Sequence, residues 1–130
     1  MTKLLAACSG CLMMAAASVV MLSAGTARAQ DVDAGKKVFN QCRACHVLDK
    51  TTNRVGPHLG GVIGRKAGSV EGFSYSDAMK NSGITWDEES LAKYLKDPKG
   101  AIAGNKMAFA GVKKEEDLKN LLAYLNEAAK

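Results

Sequence analysis

Apolar residues recur with helical spacing most clearly near the end of the chain, where Leu118, Leu121, Leu122 and Leu125 stand at i, i+3, i+4 and i+7. Glu115, Glu116 and Asp117 precede them. Negative charge there meets the positive end of the helix dipole, so the last helix is predicted from about residue 115. Upstream, Leu91, Tyr94 and Leu95 share one helical face. Thr85-Trp86-Asp87-Glu88 ahead of them reads as a capping box, Thr85 and Glu88 each satisfying the other's backbone N–H, and Pro98 stops the helix. A short helix is expected over about Tyr75–Asn81, ended by Gly83. Another starts at Asp31 or Asp33, either of which can cap free N–H groups, and runs through Val38 and Phe39 towards Cys42. Gly35 inside it marks a close-packing point.

No period of 2 or 3.6 holds from Thr51 to Gly72, where six of the chain's 13 glycines fall (Gly56, Gly60, Gly61, Gly64, Gly68 and Gly72). A loop of that length suits a compact domain only where it wraps something other than protein. Ala101–Gly111 is irregular as well, and no alternating run is long enough for a sheet. The fold class is all-α with long loops.

Residues 1–29 follow another pattern: a basic start ending at Lys3, an uncharged stretch from Leu4 to Thr26, then the small-x-small triplet Ala27-Arg28-Ala29. This is the form of a secretory signal peptide cleaved after Ala29, with residues 30–130 as the mature domain. The uncharged stretch is also long enough to span a bilayer, so an uncleaved anchor is the alternative. Leu5-Ala6-Ala7-Cys8 looks like a lipoprotein box, but its apolar region follows the cysteine instead of preceding it.

Loss of the leader removes two bases and no acid, which lowers the formal charge from +5 to +3. Such a mildly basic chain, with no dense Lys/Arg stripe and no reading motif, suits an acidic protein partner and excludes nucleic acid. Cys8 and Cys11 leave with the leader, so Cys42 and Cys45 remain. The mature domain has few aromatics, few large aliphatics before its last helix, and two long loops. It looks short of core, a deficit that a large apolar cofactor would make good.

Cys42-Arg43-Ala44-Cys45-His46 is a C-x-x-C-H haem-attachment signature. Two thiols about one helical turn apart can form thioethers to two vinyl groups, and the next residue then presents its imidazole to the iron. A thiol-disulfide oxidoreductase would use C-x-x-C with a lowered thiol pKa in a strand-helix-strand setting that the pattern lacks. A zinc site would want four ligands, and the mature chain offers two Cys with His46 and His58. For a second axial ligand the thioethers left after the leader are Met79, in the short helix, and Met107, in the irregular Gly104–Phe109 segment where a loop can deliver sulfur. His58 would give bis-His ligation instead. His/Met ligation raises the reduction potential and leaves no open site for dioxygen.

The mature chain resembles a class I cytochrome c of the mitochondrial type, close to soluble periplasmic bacterial members. The likeness rests on Gly35 and Phe39, Cys42–His46, Val55-Gly56-Pro57, Gly64-Arg65-Lys66, Gly72-Phe73-Ser74-Tyr75, Ile84-Thr85-Trp86, Tyr94-Leu95, Lys106–Gly111 and Leu121–Leu125. It implies first and last helices crossing, Gly35 close against Leu121 and Tyr124 with Phe39 beside them, and long loops around one covalent haem c. By the same resemblance Cys42 and Cys45 hold the haem, and His46 and Met107 are the axial ligands. Pro57 accepts the Nδ1–H of His46; Arg65, Tyr75 and Trp86 hold a propionate; Tyr94 lies near the Met107 sulfur; Phe109 completes the pocket.

The chain departs from the family pattern at three places. Ala103 stands where Pro often precedes the Gly of the methionine loop, which should loosen that loop. Asn105 replaces a usual Thr, so a propionate bond there comes from an amide or is lost. Met79 replaces a common Asn near Tyr94. The resemblance further implies a monomeric one-electron carrier, not an enzyme, exported to the periplasm. Lys37, Lys99, Lys106, Lys113 and Lys114 would steer it to acidic faces of membrane complexes, a quinol-cytochrome c oxidoreductase type donor and a cytochrome c oxidase type acceptor. The rival reading is an enzyme or gas-binding haem protein with an open sixth position.

Overall fold

The computed structural model describes residues 30–130. The expected leader, with Lys3, Cys8, Cys11, Arg28 and the cleavage point after Ala29, lies outside the described residues. Five helices follow in order: α1 (Val32–Phe39), α2 (Asp77–Lys80), α3 (Glu88–Lys96), α4 (Pro98–Ala101) and α5 (Glu115–Ala128). Among the described residues the extended structure is one isolated antiparallel bridge, Lys66 with Thr85. No helix among them is long and apolar enough to cross a membrane.

Asp31 caps α1, its carboxylate accepting from the Ala34 N–H at 2.9 Å, and Lys36 and Lys37 end the helix where positive charge suits the dipole. α1 crosses α5 at Gly35. A Cβ at Gly35 would collide with the Asn120 carbonyl and come within 2.8 Å of the Tyr124 Cβ. The nearest neighbours at the crossing are Asn120 and Tyr124, and Leu121 beside them is fully buried in the core. Asn120 is itself buried, and its side-chain oxygen accepts from the Asp31 N–H at 2.9 Å. The Phe39 and Tyr124 rings lie 5.4 Å apart across the same junction. Because the clash at Gly35 is with main chain, Gly35→Ala is expected to cost about 3 kcal/mol, read as a lower denaturant midpoint at unchanged slope. An unchanged midpoint would mean that the helices can part freely.

The cap of α3 differs from expectation. Asp87, in extended backbone, accepts from the Ser90 N–H at 2.7 Å, and Ser90 Oγ accepts from the Asp87 N–H at 3.0 Å. Thr85 lies in the bridge with Lys66 ahead of the helix, and its carbonyl takes the Ser90 hydroxyl at 2.9 Å. Pro98 ends α3 and also opens α4, a helix that the sequence pattern leaves as loop.

Between α1 and α2 the chain is held by scattered main-chain bonds. Leu59 N–H donates to the Val47 carbonyl, Ala67 N–H to Ile84, and Trp86 N–H to Arg65, each at 2.8 or 2.9 Å. Val62, Ala67 and Met79 from this side join Trp86, Leu91, Tyr94 and the four α5 leucines in one core cluster.

Candidate functional site

The C-x-x-C-H segment folds as a turn that continues from α1. Cys42 N–H donates to Phe39 at 2.8 Å and His46 N–H to Cys42 at 2.9 Å, so both thiols and the imidazole issue from one short coil. Cys42 and Cys45 are unpaired and half-buried. Burial, and then the neighbouring Cys45, push the Cys42 thiol up to about 11. A thiol-disulfide exchanger works with the opposite shift, so the direction at Cys42 does not favour that alternative.

His46 is confined from behind. Its Nδ1 lies 2.8 Å from the Pro57 carbonyl, which the ring's N–H satisfies, leaving the Nε2 lone pair as the donor atom. Burial holds the imidazole below its ordinary pKa, the Pro57 bond pulls the other way, and Arg65 adds to the lowering. The ring is therefore neutral and fit to bind metal. Gly56 is buried against it: a Cβ there would lie 2.7 Å from Nδ1. The same Gly56 donates its N–H to the Cys45 carbonyl at 2.8 Å, which ties the loop to the coil.

Met107 is half-buried, and the Tyr94 hydroxyl lies 3.9 Å from its sulfur. Burial raises that phenol to about 12, so it stays protonated and able to donate. Met79 is buried in the core cluster. His58 is taken up elsewhere: its carbonyl accepts from Arg65 at 3.0 Å and its Nδ1 lies 3.5 Å from the same guanidinium.

Arg65 also donates to the Gly60 carbonyl at 3.0 Å, so much of its capacity goes to closing the loop. Tyr75 accepts from the Val70 N–H at 3.3 Å, which leaves its O–H free to donate. Trp86 is buried with its ring 5.0 Å from that of Tyr94, while its indole N–H, which bonds to no group among the described residues, is not fully enclosed. Phe109 packs against the core cluster. Asn105 follows the second of its two expected courses: its amide N–H groups go to the Pro98 and Ile102 carbonyls at 2.7 and 2.8 Å, so its amide is committed to the loop.

Lys37, Lys99, Lys106, Lys113 and Lys114 are all exposed, and none joins an ion pair among the described residues. Lys113 Nζ donates to the Lys96 carbonyl at 3.0 Å. Three further cations went unnoticed in the sequence. Lys36, Arg43 and Arg54 line a cleft of about 480 Å³ beside His46, over Phe39, Leu48 and Tyr124. Their spacing has no period, so no sequence signal would have found them.

Two thiols and an imidazole on one coil, a loop thioether beside a buried phenol, and donors left free at Tyr75 and Trp86 fit one large apolar ring with a metal centre. Among the described residues no three His, Cys, Asp or Glu side chains come together as a bare-ion site, which gives the zinc alternative no donor set. The family model for cytochrome c matches residues 32–129. The chain belongs to the cytochrome c family. It is 50% identical over 110 residues to cytochrome c2 of Blastochloris viridis, spanning 84% of this chain and 87% of that one. It is 52% identical over 98 residues to cytochrome c-550 of Nitrobacter winogradskyi, spanning 75% and 90%. The solved structure of cytochrome cH from Methylobacterium extorquens is similar in fold, with TM-score 0.69 and 44% identity over 74% of this chain and 97% of that one. The class I fold expected of the chain is thus its fold. Cytochromes c are electron carriers and not enzymes, and each carries one covalent haem c for which Cys42 and Cys45 fit the attachment motif.

Proposed function

We propose that this cytochrome c is a periplasmic one-electron shuttle with His46 and Met107 as axial ligands, working between a membrane quinol-cytochrome c oxidoreductase type donor and a cytochrome c oxidase type acceptor. The observation that carries the ligand assignment is the 3.9 Å approach of the buried Tyr94 hydroxyl to the Met107 sulfur, while Met79, the other thioether among the described residues, lies in the core. Haem supplies the Fe(II)/Fe(III) couple. The chain's own part is to hold the ligands still: Pro57 and Gly56 confine His46 on one side, and the Tyr94 hydroxyl restrains Met107 on the other. Ligands that do not move between oxidation states keep reorganisation small, and a buried site leaves little water to rearrange.

One optical experiment tests this reading. A low-spin spectrum with the far-red sulfur-to-iron band is expected; a high-spin ferric spectrum, or rapid CO uptake on reduction, would favour the gas-binding rival. Export rests on residues 1–29, and the intact mass of protein from the native host should equal residues 30–130 plus one haem.

Docking is assigned to the exposed lysines Lys37, Lys99, Lys106, Lys113 and Lys114. Val55, 79% exposed, is the one large apolar side chain laid open among the described residues, and it adjoins Gly56 on the loop tied to Cys45. An exposed apolar contact on a basic protein suits a transient complex steered by charge. The second-order rate with a physiological oxidase is expected to fall about tenfold as salt rises from about 10 to 200 mM, because the Debye length shortens from about 30 Å to less than 10 Å. A flat dependence would exclude steering.

A further inference from the structure

The loop that brings Met107 to the site lacks the ring that would stiffen it, and the structure shows another device in its place. Ile102–Asn105 is a tight turn: the Asn105 N–H donates to the Ile102 carbonyl at 3.2 Å, and Gly104 sits at φ +86°, the third position of a type II turn. Ala103 occupies the second position, where proline is favoured. Ile102 has φ −135° and ψ 91°, away from the helical region that a following proline disfavours, and the Ala103 N–H donates to no acceptor among the described residues. Proline would fit here, yet the chain has alanine.

Asn105 binds the turn instead. Its amide nitrogen spends both hydrogens on main-chain carbonyls, Pro98 at 2.7 Å and Ile102 at 2.8 Å, and its oxygen accepts the Met107 N–H at 2.9 Å. The reversed amide would set oxygen against two carbonyls and NH₂ against an N–H, so the network itself fixes the orientation. The two carbonyls belong to the first residue of α4 and the residue just past its end. One side chain therefore clamps α4 to the main chain of Met107. No other residue of this size has two donors and an acceptor: threonine can replace one donor and the acceptor, and aspartate keeps the acceptor while repelling both carbonyls.

We propose that Asn105 is the positioning residue for the Met107 thioether, doing through its amide what a proline ring at 103 would do through backbone stiffness. The inference rests on Met107 being the axial ligand. A clamped main chain lowers the entropy cost of presenting the sulfur, so loosening it should let an external base compete for the iron.

The test uses the haem-loaded protein and imidazole as the competing base. Asn105→Ala is expected to bind imidazole about tenfold more tightly than the parent, the factor that loss of one to two net hydrogen bonds represents. Asn105→Asp should go further, and Asn105→Thr should fall between parent and Ala. Amide exchange at Met107 should quicken in the same order, a readout independent of the iron. Adding Ala103→Pro to Asn105→Ala should restore much of the parent's resistance. Unchanged imidazole affinity and amide exchange in Asn105→Ala, with the far-red band present in the parent, would overturn this inference alone. A parent without that band would overturn the ligand assignment and this inference with it. If Asn105→Ala fails to accumulate, Asn105→Thr carries the same comparison.

Discussion

Cys42→Ser with Cys45→Ser is expected to yield a chain that, without added haem, shows no cooperative unfolding transition at room temperature. The reason lies in how little the protein packs by itself. Among the described residues the largest side chains buried to within 2% of completely are just a leucine and a proline, Leu121 and Pro98, two of the five helices are four residues long, and the segment from Val47 to Ser76 carries no helix at all. Among the described residues the junction of α1 with α5 is the most extensive contact between helices, built on Gly35, Phe39, Asn120 and Tyr124. A chain of this size has roughly 5–15 kcal/mol of stability in total, so losing the cofactor's contacts removes most of it. Cys42→Ser alone should keep one thioether and an intermediate midpoint. Denaturant titration by circular dichroism, with haem staining of a denaturing gel, reads both effects. A double variant that unfolds at the parent's midpoint would show that the polypeptide core suffices.

That thin core explains which parts of the fold were legible. α5 could be read because its burial pattern is local: Leu118, Leu121, Leu122 and Leu125 all prove buried, and the three acids ahead of them occupy its first turn. α1 could be read because Asp31 is a local cap. The α3 cap was displaced by two residues, since a Thr-x-x-Glu pattern cannot reveal that Thr85 lies ahead of the helix, in a bridge with Lys66 nineteen positions earlier. α4 was hidden because a proline after a helix reads as an end, while at the first helical position it is also a start. Nothing local marks Asn120 as buried, because its burial depends on the close approach that Gly35 permits.

The site divides along the same line. Cys42, Cys45 and His46 are contiguous, and chemistry written within five residues needs no tertiary information. Pro57 and Tyr94 reach His46 and Met107 from 11 and 13 positions away, and only resemblance to a family, not periodicity, brought those pairs together. Asn105 was noticed as a departure, but its partners are main-chain carbonyls, which every residue has. A side chain that bonds to backbone leaves no mark in the identity of its partners, so its role waits for coordinates.

Met107→Ala is expected to abolish the far-red band, admit CO rapidly to the reduced protein, and lower the reduction potential by roughly 0.2 V, a fraction of the ~0.8 V range over which axial ligands act. A thioether favours the reduced state, so its removal acts on potential directly. The variant should still fold, because Cys42, Cys45 and the contact of α1 with α5 are untouched. It should also lose about 1–3 kcal/mol, since the Tyr94 hydroxyl, in a residue only 6% exposed, is left without its acceptor. Met79→Ala provides the control. It removes a core side chain and should cost about 2–5 kcal/mol by leaving a cavity, yet keep the far-red band and remain closed to CO. The two variants thus exchange their effects: Met79→Ala weakens the fold and spares the spectrum, while Met107→Ala changes the spectrum more than the fold. If Met79→Ala loses the band and Met107→Ala retains it, the sulfur at the iron is the one assigned here to the core, and Tyr94 guards the wrong methionine.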